Sequence, residues 1–128
     1  MRNYAFTQLL YSKVSKDLWK HSLRVNTLCM MYSDDDLIYT ASLLHDILED
    51  TDCTYEELAD IDKEVADIVL ILTRQQSETY EEYIGRVKEN ETARIVKICD
   101  LLDHLASYKT LKPSLKKRYI KALGELLE

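Results

Sequence analysis

Four side chains able to hold a metal ion or move a proton, His45, Asp46, Glu49 and Asp50, sit inside the apolar frame Leu43-Leu44-His45-Asp46-Ile47-Leu48-Glu49-Asp50-Thr51. On a continuous helix His45 and Glu49 lie one turn apart in one column, with Asp46 and Asp50 in the adjacent column. Two columns of ligands then face one point. A neutral imidazole and a carboxylate suit a first-row divalent ion, and a second carboxylate pair just beyond can orient or deprotonate a metal-bound water. The competing structural reading is an acidic helix C-terminus that carries one core histidine. Negative charge at that end opposes the helix macrodipole, and a bound cation would compensate it.

The elements that must position this stretch are helical. Glycine and proline number only 2 and 1 in 128 residues, and Leu, Ala, Glu and Lys are plentiful, so an all-α fold is expected, a compact bundle of about six to eight helices. One domain spanning 1–128 fits the length. Helical spacing predicts a first helix from about Asn3 to Tyr11 and a second capped by Ser15 that carries His21. A third starts at the Asp34-Asp35-Asp36 turn, with Leu37, Ala41, Leu44 and Leu48 as its inward stripe through His45 and Asp46. Thr54 and Asp62 read as caps of two short helices, Ser77 as the cap of a segment through Lys88, and Asn90 as the start of a central apolar helix. Pro113 opens the last helix.

The central helix holds Asp100 between Cys99 and Leu101, where aspartate is a poor helix residue and rarely buried without a partner. A metal ion and a buried arginine are the two candidates. Lys97 and His104 flank Asp100 by one turn on the same face. A bundle that brings three helices together would gather His21, His45, Asp46 and Asp100 into two imidazoles and two carboxylates, leaving room for an activated water. Such a set suits manganese first, with iron, zinc or cobalt as alternatives; magnesium prefers all-oxygen ligands.

Other classes are disfavoured. A net charge of −6 speaks against binding extended nucleic acid, though a local cationic pocket for one phosphorylated small molecule is compatible with it. Cys29, Cys53 and Cys99 are odd in number and lack CxxC spacing, so reduced, buried thiols in a cytoplasmic protein are expected. No apolar run approaches the roughly 20 residues needed to cross a bilayer, and no signal-peptide pattern opens the chain.

In the order His21, His45-Asp46, Asp100, the sequence resembles the HD-domain metal-dependent phosphohydrolases. Leu43 to Thr54, LLHDILEDTDCT, is most similar to the hydrolase domain of bifunctional alarmone (ppGpp) synthetase-hydrolases and of the small stand-alone alarmone hydrolases, and Val96-Lys97-Ile98-Cys99-Asp100 resembles their K-L-A-D segment. The resemblance implies His21, His45, Asp46 and Asp100 as metal ligands and Glu49 with Asp50 as the acidic pair acting on the nucleophilic water. Two features depart from it. The segment Ser15-Lys16-Asp17-Leu18-Trp19-Lys20 lacks the glycine of the basic nucleotide-holding loop, and the asparagine expected a turn after the K-L-A-D segment is replaced around Asp103-His104.

The expected function is therefore a metal-dependent phosphohydrolase acting on a nucleotide or related phosphate ester, with a guanosine 3′-pyrophosphate alarmone as the candidate substrate. Arg24, Arg74, Lys97 and His104 are the candidate substrate-binding residues; Arg24 in an exposed salt bridge is the alternative for that residue. Two other readings compete: a non-catalytic HD module that binds a nucleotide or a protein partner, and a plain helical scaffold whose polar cluster is an ion-pair network. Assembly as a homodimer is left open.

Overall fold

The computed structural model describes residues 3–128, and all regular structure among them is helical: α1 (Tyr4–Lys13), α2 (Lys16–Tyr32), α3 (Asp36–Leu44), α4 (Ile47–Asp50), α5 (Tyr55–Ile61), α6 (Lys63–Ile71), α7 (Tyr80–Lys88), α8 (Glu91–Ala106) and α9 (Pro113–Leu127). None of these helices is long and apolar enough to cross a membrane. The helix starts are set by side chains that accept amide protons the first turn cannot satisfy internally: Asn3, Ser15, Asp35, Thr54, Asp62 and Asn90 all do so. Pro113, which has no amide proton to lose, takes the first position of α9.

Burial is organised as two apolar clusters. One gathers Val25 and Cys29 of α2, Ile38 and Ala41 of α3, Tyr83, Ile84 and Val87 of α7, Val96, Cys99 and Leu101 of α8, and Leu126 of α9. The other packs Phe6 and Leu10 of α1 with Leu44, Ile47, Leu58, Val65 and Val69. Helices α3 and α6 contribute to both, so the C-terminal end of α3 falls at the seam between them. α8 runs through the first cluster and packs on α2, α3, α6, α7 and α9. The three cysteines are unpaired and buried.

Two local features differ from the sequence expectation. The helix predicted to run from Leu37 past Leu48 stops at Leu44, and Ile47–Asp50 forms a separate single turn. The Ser42 carbonyl, which an unbroken helix would bond to the amide of Asp46, instead accepts from Nδ1 of His45 at 2.7 Å. Asp46 then takes φ −101° and ψ 2°, the sparsely populated bridge region. The second difference is the cap of α7, which is Thr79 rather than Ser77. Only Thr79 has a glutamate three residues on, and the two form a reciprocal capping box: Thr79 Oγ1 accepts from the Glu82 amide at 3.1 Å while Glu82 Oε1 accepts from the Thr79 amide at 2.9 Å.

Thr79→Ala should lower the unfolding free energy by about 0.5–2 kcal/mol, read as a lower urea midpoint with an unchanged slope; Ser77→Ala should leave the midpoint within about 0.5 kcal/mol of the parent value.

Candidate metal centre

His21 lies in the second turn of α2, whose start is fixed by the Ser15 hydroxyl accepting from the Leu18 amide at 3.2 Å. Further along α2, the Asn26 side-chain amide donates to the Tyr39 carbonyl and the Ser42 hydroxyl, both at 3.1 Å, and so ties α2 to α3 just before His45. His45 and Asp46 occupy the break after α3. Asp100 enters from the middle of α8 and is 2% exposed.

One donor atom from each of His21, His45, Asp46 and Asp100 lies within 4.8 Å of the others. Nε2 of His21 is 2.9 Å from Asp100 Oδ1 and 3.4 Å from Asp46 Oδ2, and Nε2 of His45 is 3.3 and 3.1 Å from the same two oxygens. Each ring turns its other nitrogen away from this point. Nδ1 of His45 meets the Ser42 carbonyl, which can only accept, so that nitrogen carries the proton and Nε2 is left facing the cluster. Nδ1 of His21 is 2.7 Å from Asp103 Oδ2.

The electrostatics explain what such a cluster requires. Burial alone would push both imidazolium ions toward neutrality, but the carboxylates outweigh it: Asp100, Asp46 and Asp103 hold His21 up at about 10, and Asp46 and Asp100 hold His45 well above its ordinary value. Burial would likewise raise the two acids. The charge of His45 beside Asp46, and of Lys97 and the histidines around Asp100, lowers them instead. Two buried carboxylates therefore call for positive charge between the imidazoles, which either protons or one divalent ion supplies. Two ring nitrogens and two carboxylate oxygens converging from separate elements are a donor set that fits a first-row divalent ion.

A pocket of about 260 Å³ opens over Asp46 and Asp100. Glu49 and Asp50 stand on one side, and Glu49 Oε1 accepts from the Arg74 amide at 2.8 Å. Burial raises the Glu49 carboxyl above its usual value, with the Arg74 amide opposing the shift and the charge of Asp46 adding to it. Arg74, Lys97 and His104 also line the pocket. Lys97 Nζ is 2.8 Å from Asp100 Oδ2 and stays cationic although buried, because Asp100 more than offsets its desolvation. His104 Nε2 is 3.3 Å from Asp100 Oδ1, and its ring stacks on Tyr119 at 5.3 Å and 28°. The loop carrying Arg74 is held by Arg86, which donates to the carbonyls of Ile71 (2.9 Å) and Thr73 (3.0 Å) and to Glu78 (2.6 Å).

Of the four residues expected to bind substrate, Arg24 is the one that does not line the pocket. It extends through solvent to Asp103, donating at 2.8 and 3.2 Å, so that Arg24, Asp103 and His21 form a chain leading to the ligand cluster. Asp103 is 8% exposed; the sequence marks it only as part of the position where the asparagine is replaced, and its carboxylate lies between His21 and Arg24 of α2. Tyr80 and Tyr83, whose helical spacing reads as core or rim more readily than as ligand-stacking, also line the pocket, as do Arg118 and Tyr119. The last two come from α9, and nothing in the sequence says that α9 folds back over α8. The segment Ser15 to Lys20 contributes nothing to this pocket; Ser15, Lys16 and Trp19 line a different cavity, between α1 and α2.

A helical bundle that sets a His-Asp pair beside a histidine and an aspartate from flanking helices forms a cluster able to hold a metal ion. The chain belongs to the HD domain family, whose model matches residues 18–107, a span holding all four candidate ligands. It is 32% identical over 95 residues to a guanosine-3′,5′-bis(diphosphate) 3′-pyrophosphohydrolase of Aquifex aeolicus (strain VF5), covering 67% of this chain and 14% of that protein. It is 30% identical over 124 residues to a probable enzyme of the same name from Mycoplasma genitalium, covering 83% of this chain and 17% of that protein. The chain thus spans about one sixth of these relatives or less. Among solved structures, lmo0812 of Listeria monocytogenes EGD-e superposes with a TM-score of 0.71 at 27% identity, covering 84% of this chain and 78% of that one. A metazoan SpoT ortholog described as hydrolysing ppGpp shares the fold, with a TM-score of 0.67 at 23% identity over 85% of this chain and 70% of that one.

Asp103→Asn keeps the shape beside His21 but removes the charge that makes the ring a better ligand, and should weaken divalent-metal binding by about 10- to 100-fold. Calorimetric titration with Mn checks this, with circular dichroism confirming the fold; an affinity equal to the parent's would contradict it.

Proposed function

We propose that this chain is a metal-dependent phosphohydrolase that acts in the cytoplasm on a nucleotide, with a guanosine 3′-pyrophosphate as the candidate substrate and manganese as the working metal. The observation that supports this best is the pairing of opposite chemistries in one pocket: Asp46 and Asp100 of a two-histidine, two-aspartate cluster, Glu49 and Asp50 on one side, and Arg74, Lys97 and Arg118 on its walls. The pyrophosphohydrolase names of the Aquifex and Mycoplasma relatives point the same way.

His21, His45, Asp46 and Asp100 would hold the ion. When bound, it supplies Lewis acidity toward a phosphoryl oxygen and acidifies water at neutral pH. Glu49 is the proton acceptor. Its raised carboxyl is a stronger base than an ordinary glutamate, and the Arg74 amide fixes one of its oxygens. Asp50 orients the same water. Arg74 neutralises the phosphate charge that builds up as the bond breaks, and Lys97, anchored on Asp100, adds a fixed positive charge between ligand cluster and substrate. His104, stacked on Tyr119, walls the far side.

A second reading, a binding module without turnover, draws support from one feature: the segment before His21 is regular helix facing another cavity. Turnover separates the two. Protein loaded with Mn should hydrolyse at least one member of a panel of guanosine and adenosine 3′- and 5′-pyrophosphates. Asp46→Ala should abolish this, and Glu49→Gln should lower kcat by about 10²- to 10⁴-fold while leaving Mn affinity near the parent value. Metal-loaded protein inert toward the whole panel would overturn the hydrolase reading.

A further inference from the structure

Helices α7 and α9 pack side by side and enclose a second cavity of about 440 Å³. Tyr80 and Arg118 belong to the walls of both this cavity and the metal pocket, so the two spaces meet at that pair. The Arg118 guanidinium lies over the Tyr80 ring, 3.9 Å from its centroid, and a second arginine, Arg74, approaches the same ring at 5.8 Å. The Tyr80 hydroxyl is buried and has no hydrogen-bond partner among the described residues. A buried hydroxyl left in that state is costly, so such groups are retained where something else completes them.

Size points the same way. The metal pocket alone, at about 260 Å³, falls below the roughly 300–1,000 Å³ that small-molecule sites offer, whereas the two spaces joined fall within it. Their chemistry is also divided. The metal pocket holds the ligand cluster, the acidic pair and Lys97, which suit a phosphate chain. Beyond the Tyr80–Arg118 pair the wall turns to Ile84 and Ala122, with the exposed Glu81, Lys121 and Glu125 around them, Glu125 being paired with Lys88 at 3.3 Å. Apolar walls, a guanidinium lying over an aromatic ring, and a carboxylate, Glu81, able to accept N–H donors are features that suit a purine ring.

We propose that the α7–α9 cavity is the subsite for the nucleoside end of the substrate, with the purine packed against the Arg118–Tyr80 pair and the Tyr80 hydroxyl completed by the ligand. This rests on the phosphohydrolase reading only for the statement that the ligand carries phosphate. Arg118 and Tyr80 are then specificity-determining residues. Arg118 lies on α9, outside the matched family segment, which ends at residue 107.

Calorimetric titration of the full chain in Mn with guanosine 5′-diphosphate and, separately, with inorganic pyrophosphate tests this. The parent should bind the nucleotide at least about tenfold more tightly than pyrophosphate. Arg118→Lys keeps the charge and loses the planar group, and should weaken the nucleotide about tenfold while changing pyrophosphate less than twofold. Tyr80→Phe should weaken the nucleotide severalfold and leave pyrophosphate unchanged. Equal affinity of the parent for the two probes, no nucleotide binding, or nucleotide affinity unmoved in both variants would overturn the subsite. If the predicted affinity pattern appears but no nucleotide of the panel is hydrolysed, the subsite stands and the hydrolase reading falls. If nucleotides are hydrolysed with an unchanged KM in both variants, the hydrolase stands and the subsite falls.

Discussion

Asp100 is a carboxylate in the middle of α8, the helix that runs through the first apolar cluster, and the rest of the architecture accommodates it. Four cationic or protonatable groups reach it, His21 from α2, His45 from the end of α3, and Lys97 and His104 from its own helix. An unpaired charge at that depth would cost several kcal/mol, and leaving it alone in the core is not an available solution. Helices α2, α3 and α8 are therefore locked to one another by polar contacts at the point where their apolar faces also meet, in the cluster around Val25, Ala41 and Val96. Packing sets the approach of the helices, and the charge on Asp100 sets their rotation.

The same constraint shapes the backbone. His45 can present Nε2 to Asp100 only with its ring fixed from behind, and the fixing group is the Ser42 carbonyl that a regular helix would have used for itself. The break that follows aims Asp46 into the cluster, and the single turn Ile47–Asp50 sets Glu49 at the rim, where the loop after α6 binds it through Arg74. Local irregularity and function thus share one cause, the diversion of a helical acceptor to an imidazole. Pinning Ile47 in the second apolar cluster, at 1% exposure, keeps the diverted chain from relaxing.

Much of this was legible from residue types set against their surroundings. His45-Asp46 inside a leucine frame and Asp100 between Cys99 and Leu101 stand out because such groups are expensive where the periodicity buries them, and the all-helical architecture follows from the shortage of glycine and proline. The break at His45 was not legible, because Leu37, Ala41, Leu44 and Leu48 keep helical spacing straight across it and the competing hydrogen bond comes from a side chain. The cap of α7 was legible in principle, since Glu82 sits three residues after Thr79, but Ser77 offers the same hydroxyl chemistry and only the partner tells them apart. Arg118 and Tyr119 were out of reach: their place on the pocket depends on α9 packing across α7 and α8, a long-range contact with no local signature. Arg24 shows the reverse case. Its spacing from His21 is right for the pocket, yet Asp103 intercepts it.

The account depends on four side chains meeting at one cation. Anomalous scattering from crystals of the Mn-loaded protein tests this most directly. A single peak about 2–2.5 Å from Nε2 of both His21 and His45 and from a carboxylate oxygen of both Asp46 and Asp100 is the expected result. The absence of a peak there under saturating Mn, or a peak held only by surface carboxylates, would contradict it and leave the cluster as an ion-pair network that holds three helices together.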